Sequence, residues 1–145
     1  MLRLLLSSVA VVLLASQARA QNVVETEVRK LTGVWLVTVD ETDGHDTDPE
    51  ILKQARVTIT RDQFVVEFGD IRYAMTYQIN PGGRPPQIDL ITSVVDPRGG
   101  QSMLQRAGVY RLDGDRLRMA TSSSGRPKRI RPGKGVQYWE LKRAK

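Results

Sequence analysis

From Ala55 onward, hydrophobic and polar residues alternate along the chain with a period of two. Ala55, Val57 and Ile59 oppose Arg56, Thr58 and Thr60, and Phe64, Val66 and Phe68 oppose Gln63, Val65 and Glu67. Ile71, Tyr73, Met75, Tyr77 and Ile79 carry the alternation furthest. Successive side chains of a strand point to opposite faces, so this spacing predicts strands with one buried face. Strands are expected at 34–39, 55–60, 63–68, 71–79, 87–95, 103–112, 115–121 and 136–143. Arg61-Asp62, Gly69-Asp70 and Asp113-Gly114 punctuate them as tight turns, the last a hairpin dipeptide that tolerates positive φ. Segments 40–50, 80–86 and 96–100 read as loops. The Ser-, Gly-, Pro- and Arg-rich stretch 121–135 reads as a mobile one.

Before the strands the period is helical. Val24, Val28 and Leu31 share one helix face, Asn22 is placed to cap it and Gly33 to stop it, which predicts a short amphipathic helix. Asp48 followed by Pro49 predicts one further helical turn over 49–54. No predicted helix is long enough to connect parallel strands, so each strand is expected to pair antiparallel with the next. The fold class is therefore all-β. Eight such strands close into an up-and-down barrel, which removes exposed edges; a two-sheet sandwich is the alternative.

Residues 1–20 stand apart from this pattern. A positive start with Arg3, an apolar run from Leu4 to Ala15 and the small-x-small sequence Ala18-Arg19-Ala20 are the parts of a secretory signal peptide. The expected mature chain is a single domain over 21–145, periplasmic or secreted and without stable membrane insertion once the signal is removed. The absence of cysteine excludes disulfides and attachment of a lipid to a thiol. The charge balance also changes with this division. All 145 residues carry 22 Lys+Arg and 16 Asp+Glu, a net of +6. Two of the Arg lie in residues 1–20, leaving 20 against 16, or +4. That sum hides a division between residues 21–105, at −5, and residues 106–145, at +9.

Leu31-Thr32-Gly33-Val34-Trp35 contains the Gly-x-Trp that opens the first strand of lipocalins and fatty-acid-binding proteins, and resembles it. More of the chain is similar to a family of small lipocalin-like domains abundant in planctomycete bacteria. The shared features are Leu31, Gly33 and Trp35; Gly44; Pro86, Ile88, Asp89 and Leu90; Gly108-Val109-Tyr110-Arg111-Leu112-Asp113-Gly114-Asp115-Arg116-Leu117; and Arg126-Pro127. They span about residues 27 to 143. Two features depart from the family pattern: its Cys-x-Ala is Met119-Ala120-Thr121 here, and the aromatic after Arg-Pro is absent, Ile130 being nearest. The resemblance implies fold and export and no particular activity. It also implies that Trp35 plugs one barrel end beneath an Arg from a late strand, for which Arg143 is the candidate by position. Asp89, on the outward face of its strand, is expected to pair with a neighbouring Arg.

Three groups of residues carry candidate chemistry. The acidic loop, with Asp40, Glu41, Asp43, Asp46, Asp48 and Glu50 around His45, approaches a calcium-loop spacing but puts Val39 at its first position. No metal, cofactor or catalytic residue is therefore assigned, and an enzyme, such as an unknown hydrolase, is the least favoured reading. The barrel interior offers Trp35, Phe64, Phe68, Tyr73 and Tyr77 as ligand-binding residues for a small apolar molecule. These side chains are large, so a packed interior is the favoured reading, and a cavity between Trp35 and Tyr77 is the observation that would favour a ligand binder. The basic loop offers Arg126, Lys128, Arg129, Arg131 and Lys134 as a grip for an anionic surface or partner. Nucleic acid is not expected, since no aromatics are interleaved with these cations. The expected protein is a monomeric, non-enzymatic binder of a small ligand in the barrel or of a partner at its rim, with the basic loop as the alternative.

Overall fold

The computed structural model describes residues 3–95 and 97–145. Met1 and Leu2 of the expected signal segment, and Asp96 of the 96–100 loop, lie outside the described residues. The chain order is α1 (Arg3–Leu31), β1 (Gly33–Thr42), β2 (His45–Asp46), α2 (Pro49–Leu52), β3 (Ala55–Ile59), β4 (Gln63–Phe68), β5 (Ile71–Asn80), β6 (Gln87–Val95), β7 (Gln101–Asp113), β8 (Arg116–Ser122) and β9 (Gln137–Arg143). Each long strand pairs antiparallel with the next, and β9 returns to β1 along Trp35↔Arg143 to Thr42↔Gln137. The result is a closed eight-stranded up-and-down barrel of lipocalin-like form, with β2 as a short addition to the end of β1.

Closure requires an irregularity. The β1–β9 register shifts between Val37 and Val39, and this bulge advances the alternation by one residue. Trp35 and Val37 face inward before it; after it Asp40 is the buried residue and Val39 packs on the outer side. The interior is otherwise the face that alternation marks, with Val57, Ile59, Phe64, Val66, Ile88, Leu90, Tyr110, Leu117, Met119 and Leu141 in one buried cluster.

The helix differs from expectation in length. It runs without interruption from Arg3, so Asn22 lies inside it and accepts at its carbonyl from Thr26 Oγ1 instead of capping. Its last turns engage the barrel: Leu31 is buried, Tyr110 donates its hydroxyl to Glu27 Oε1, and Trp35 Nε1 donates to Leu31 O. Arg143 locks that end. Its guanidinium lies 4.2 Å from the centre of the Trp35 ring and donates to Thr32 O, Lys30 O and Asp115 Oδ1. Gly33, at φ +141°, leaves room for it, since a Cβ there would stand 2.7 Å from Arg143 Nη1.

Three local expectations are corrected. Segment 40–50 is not an open loop: Asp43 and Gly44, both at positive φ, form a two-residue hairpin turn between Thr42 and His45, and Asp48 caps α2. The β7–β8 turn is Gly114-Asp115, one residue later than Asp113-Gly114, because Asp113 pairs with Arg116 as a strand residue. The stretch beyond β8 is anchored instead of mobile. Ile130 and Val136 pack on Val109, Ala120 and Tyr138 outside the barrel, and Arg126 pins the loop to the wall.

Candidate functional site

The two ends of the barrel are built differently. At the α1 end, Trp35, Phe64, Ile59 and Leu31 are fully buried and fill the interior. At the other end, where β4 turns into β5 and β6 into β7, the interior is hollow. A cavity of about 210 Å³ is lined by Val66, Phe68, Tyr73, Met75, Leu90, Thr92, Arg106, Gln137 and Trp139. The floor is Trp139, stacked on Phe64 with ring centroids 6.0 Å apart and 10° between planes. The rim continues in apolar side chains of inward alternation, with Ile71, Tyr73 and Leu104 exposed at 56%, 54% and 60%.

Polar groups in this space are few and mostly fixed. Asp40, brought inward by the β1 bulge, accepts from Trp139 Nε1 at 2.6 Å and from Thr47 Oγ1 at 2.9 Å, so both carboxylate oxygens are engaged and the floor ring is held in place. Arg106 on β7 faces Leu90 across the β6–β7 pair. Its Nε donates to Thr121 Oγ1 at 3.2 Å and its Nη2 to Thr121 O at 3.3 Å. Thr121 reaches it because Gly108 has no side chain; a Cβ on Gly108 would stand 2.7 Å from Thr121 Cγ2. Burial pulls the Arg106 pKa below its ordinary value, and among the described residues no carboxylate offsets that cost.

The ligand-binding residues expected from sequence separate by height along the barrel axis. Phe68 and Tyr73 line the cavity. Trp35 and Phe64 lie in the packed part with no exposure, and Tyr77 points to the α1 end, where its hydroxyl donates to Thr60 O at 2.7 Å. The hollow therefore lies above Trp139 and not between Trp35 and Tyr77. Arg106, Thr121, Gln137 and Trp139 were missed as site residues. Their signal was the inward parity they share with Gly108 and Tyr110 on β7 and with Met119 and Leu141 on β8 and β9.

In the basic loop, Arg126 is set apart from its neighbours. It donates to Gly108 O at 2.7 Å and pairs with Asp89 Oδ1 at 2.8 Å, the ion pair expected of Asp89. Lys128, Arg129, Arg131 and Lys134 remain on the exposed side of the anchored loop. In the acidic segment, Asp43 Oδ1 accepts from Gly135 N, Asp48 Oδ1 from Glu50 N, and His45 Nδ1 lies 3.0 Å from Asp43 O. These groups build a turn, a cap and a loop contact. A larger hollow of about 870 Å³ lies outside the barrel between α1 and β5, where Glu25, Arg29, Arg61 and Asp62 face it. One of its walls is the face of α1 that carries Val24 and Val28, so it is an open groove between two elements.

The chain matches no protein-family model, no curated protein and no solved structure.

Proposed function

We propose that this is an exported, non-enzymatic binding protein that takes a small, mostly apolar molecule into the open end of its barrel. The observation that carries the reading is the cavity of about 210 Å³ above Trp139, apolar on most of its wall, with Arg106 and Gln137 as convergent polar groups. Concave sites of this composition, with few placed polar groups, are the usual form of small-molecule sites. The export part of the reading is supported by the signal-like residues 1–20 and by the resemblance to lipocalin-like domains. Native mass spectrometry of the protein recovered from the cells that make it tests the reading. A co-purifying small molecule, lost on gentle denaturation, is the expected result; a bare mass in every preparation contradicts it.

The second reading is an anionic surface or partner held by Lys128, Arg129, Arg131 and Lys134. What favours it is that the loop presenting them is fixed to the barrel by Arg126, Ile130 and Val136. Loss of binding to anionic vesicles in a triple Lys128/Arg129/Arg131→Ala variant supports it, and unchanged binding overturns it.

A further inference from the structure

We infer that the tip of the β6–β7 hairpin is a docking edge for a second copy of this chain, the two copies pairing antiparallel along residues 101–105 of β7. This is independent of what the cavity holds, and it departs from the monomer expected of the sequence.

The first ground is unused backbone. β6 and β7 pair in unbroken register from Gln87↔Val109 to Val95↔Gln101. Their outer neighbours stop short of that. β5 follows β6 only as far as Thr76↔Ile91, and β8 follows β7 only as far as Ala107↔Ser122. Beyond those points the hairpin continues as a two-stranded ribbon, residues 92–95 against residues 101–104. Residues 101–105 are all exposed. Among the described residues, their backbone groups bond only to β6, so the other edge of β7 is free there. A two-stranded ribbon is marginal in water, and a free edge presents N–H and C=O groups that a further strand satisfies.

The second ground is the surface of the ribbon. Val94 and Leu104 stand on the face that continues the inward alternation of the barrel, and Val95 and Met103 on the opposite face. All four are exposed, Val95 and Met103 at 70% each. Free edges are ordinarily guarded by a charge, a proline or a bulge. Residues 90–95 and 101–105 contain no charged residue and no proline, and the β6–β7 register has no shift. The edge is therefore open to pairing, and apolar side chains flank it above and below.

The third ground selects a second copy as the occupant. Across a two-fold axis one strand meets itself, so a charged edge repels its own copy and an uncharged edge does not. Pairing centred on Met103 sets Met103 against Met103, Gln101 against Gln105 and Ser102 against Leu104, with no like charges opposed. Two ribbons then form one sheet of four strands, and the apolar side chains of each face lie side by side across the axis. Arg106 falls outside the paired stretch and keeps its bonds to Thr121.

Sedimentation velocity of the purified protein, from micromolar to near-millimolar concentration, tests the assignment. The native protein is expected to pass from the mass of one chain to that of two. Met103→Lys opposes two ammonium groups across the axis and is expected to stay at the mass of one chain throughout, with unchanged thermal melting as the folding control. A second test uses the absence of cysteine, which makes the thiol of Met103→Cys the only one in the chain. Directly opposed residues of an antiparallel pair have Cα atoms about 4.5–5.5 Å apart, within the span of a disulfide. Mild oxidation is expected to link Met103→Cys into a dimer far faster than Lys128→Cys, whose thiol lies on the basic loop. A single-chain mass at every concentration, a dimer that persists in Met103→Lys, or equal cross-linking of the two cysteine variants overturns the assignment.

Discussion

Trp139 lies flat on Phe64, and its indole N–H is held by Asp40 at 2.6 Å. These two rings divide the barrel into a packed half and a hollow half. Phe64 belongs wholly to the first, while Trp139 faces both, since it belongs to the buried cluster and also lines the cavity. The fold thus has the stability of a filled core and the concavity of a binding site within one closed sheet.

Trp139→Phe removes the donor that Asp40 uses and leaves a buried carboxylate oxygen without it. A buried acceptor that loses its partner costs about 1–3 kcal/mol, and the lost ring area adds to that. Urea unfolding is expected to show a loss in this range, and a change under about 0.5 kcal/mol, within the scatter of neutral surface substitutions, contradicts the role given to the pair.

Arg143→Met tests the lock at the other end. The variant keeps an unbranched side chain over Trp35 and loses the cation and three donated hydrogen bonds. A cation–π contact is worth about 0.5–2 kcal/mol, and hydrogen bonds from a charged donor about 1.5–3 kcal/mol. A destabilisation of about 2–4 kcal/mol follows in urea unfolding, after allowance for the partly exposed Asp115 pair. Gly33→Ala is expected to do comparable harm, because it places a methyl against the same guanidinium at an unfavourable φ.

The strand order, the turns at Arg61-Asp62 and Gly69-Asp70 and the Asp48 cap were legible in the sequence, since each depends on local pattern. The Trp35–Arg143 contact was an expectation from the family resemblance. Height along the barrel was not legible. Alternation separates inward from outward positions and cannot say which inward residues share a level in tilted strands, so Trp35, Phe64 and Tyr77 read the same as Phe68 and Tyr73. Arg106 read as one more cation of the basic half, although its spacing of two and four from Gly108 and Tyr110 already put it inside. The β1 bulge also hid Asp40, since an extra residue reverses the parity that marks it as outward. The 121–135 stretch has the composition of a mobile loop, yet Arg126, Ile130 and Val136 together hold it.

Arg126 and Arg129, three residues apart in that loop, are expected to behave oppositely. Arg126→Ala removes the Asp89 pair and the bond to Gly108 O and so detaches the loop, at a cost of about 1–3 kcal/mol in urea unfolding. Arg129→Ala, at an exposed position, is expected to stay within about 0.5 kcal/mol of the native protein. Equal effects of the two would contradict the assignment of Arg126 to structure.

Alkaline pH is expected to weaken the fold through its tyrosines. Burial, with Glu27 beside the hydroxyl, raises the pKa of Tyr110 above its ordinary value of 10.0. Burial and the bond to Glu140 push Tyr138 up to about 12. The unfolded chain releases these protons first, so it binds fewer than the native state above pH 10.0, and stability falls as pH rises. Their contribution is complete below pH 10.0 and declines towards about 12. In urea melts over this range, Tyr110→Phe is expected to show a shallower decline than the native protein; an identical slope contradicts the burial of that hydroxyl.

The protein has two tryptophans, and they stand at opposite ends of the barrel. Trp139 lines the cavity with its N–H on Asp40, and Trp35 lies in the packed end with its N–H on Leu31 O. Their indole N–H signals in a proton–nitrogen correlation spectrum therefore report the two halves separately. On titration with 1-octanol, a small and mostly apolar probe, the account predicts a saturable shift of the Trp139 signal while that of Trp35 stays in place. An unmoved Trp139 signal, with shifts confined to the amides of Lys128, Arg129, Arg131 and Lys134, contradicts a ligand site in the barrel.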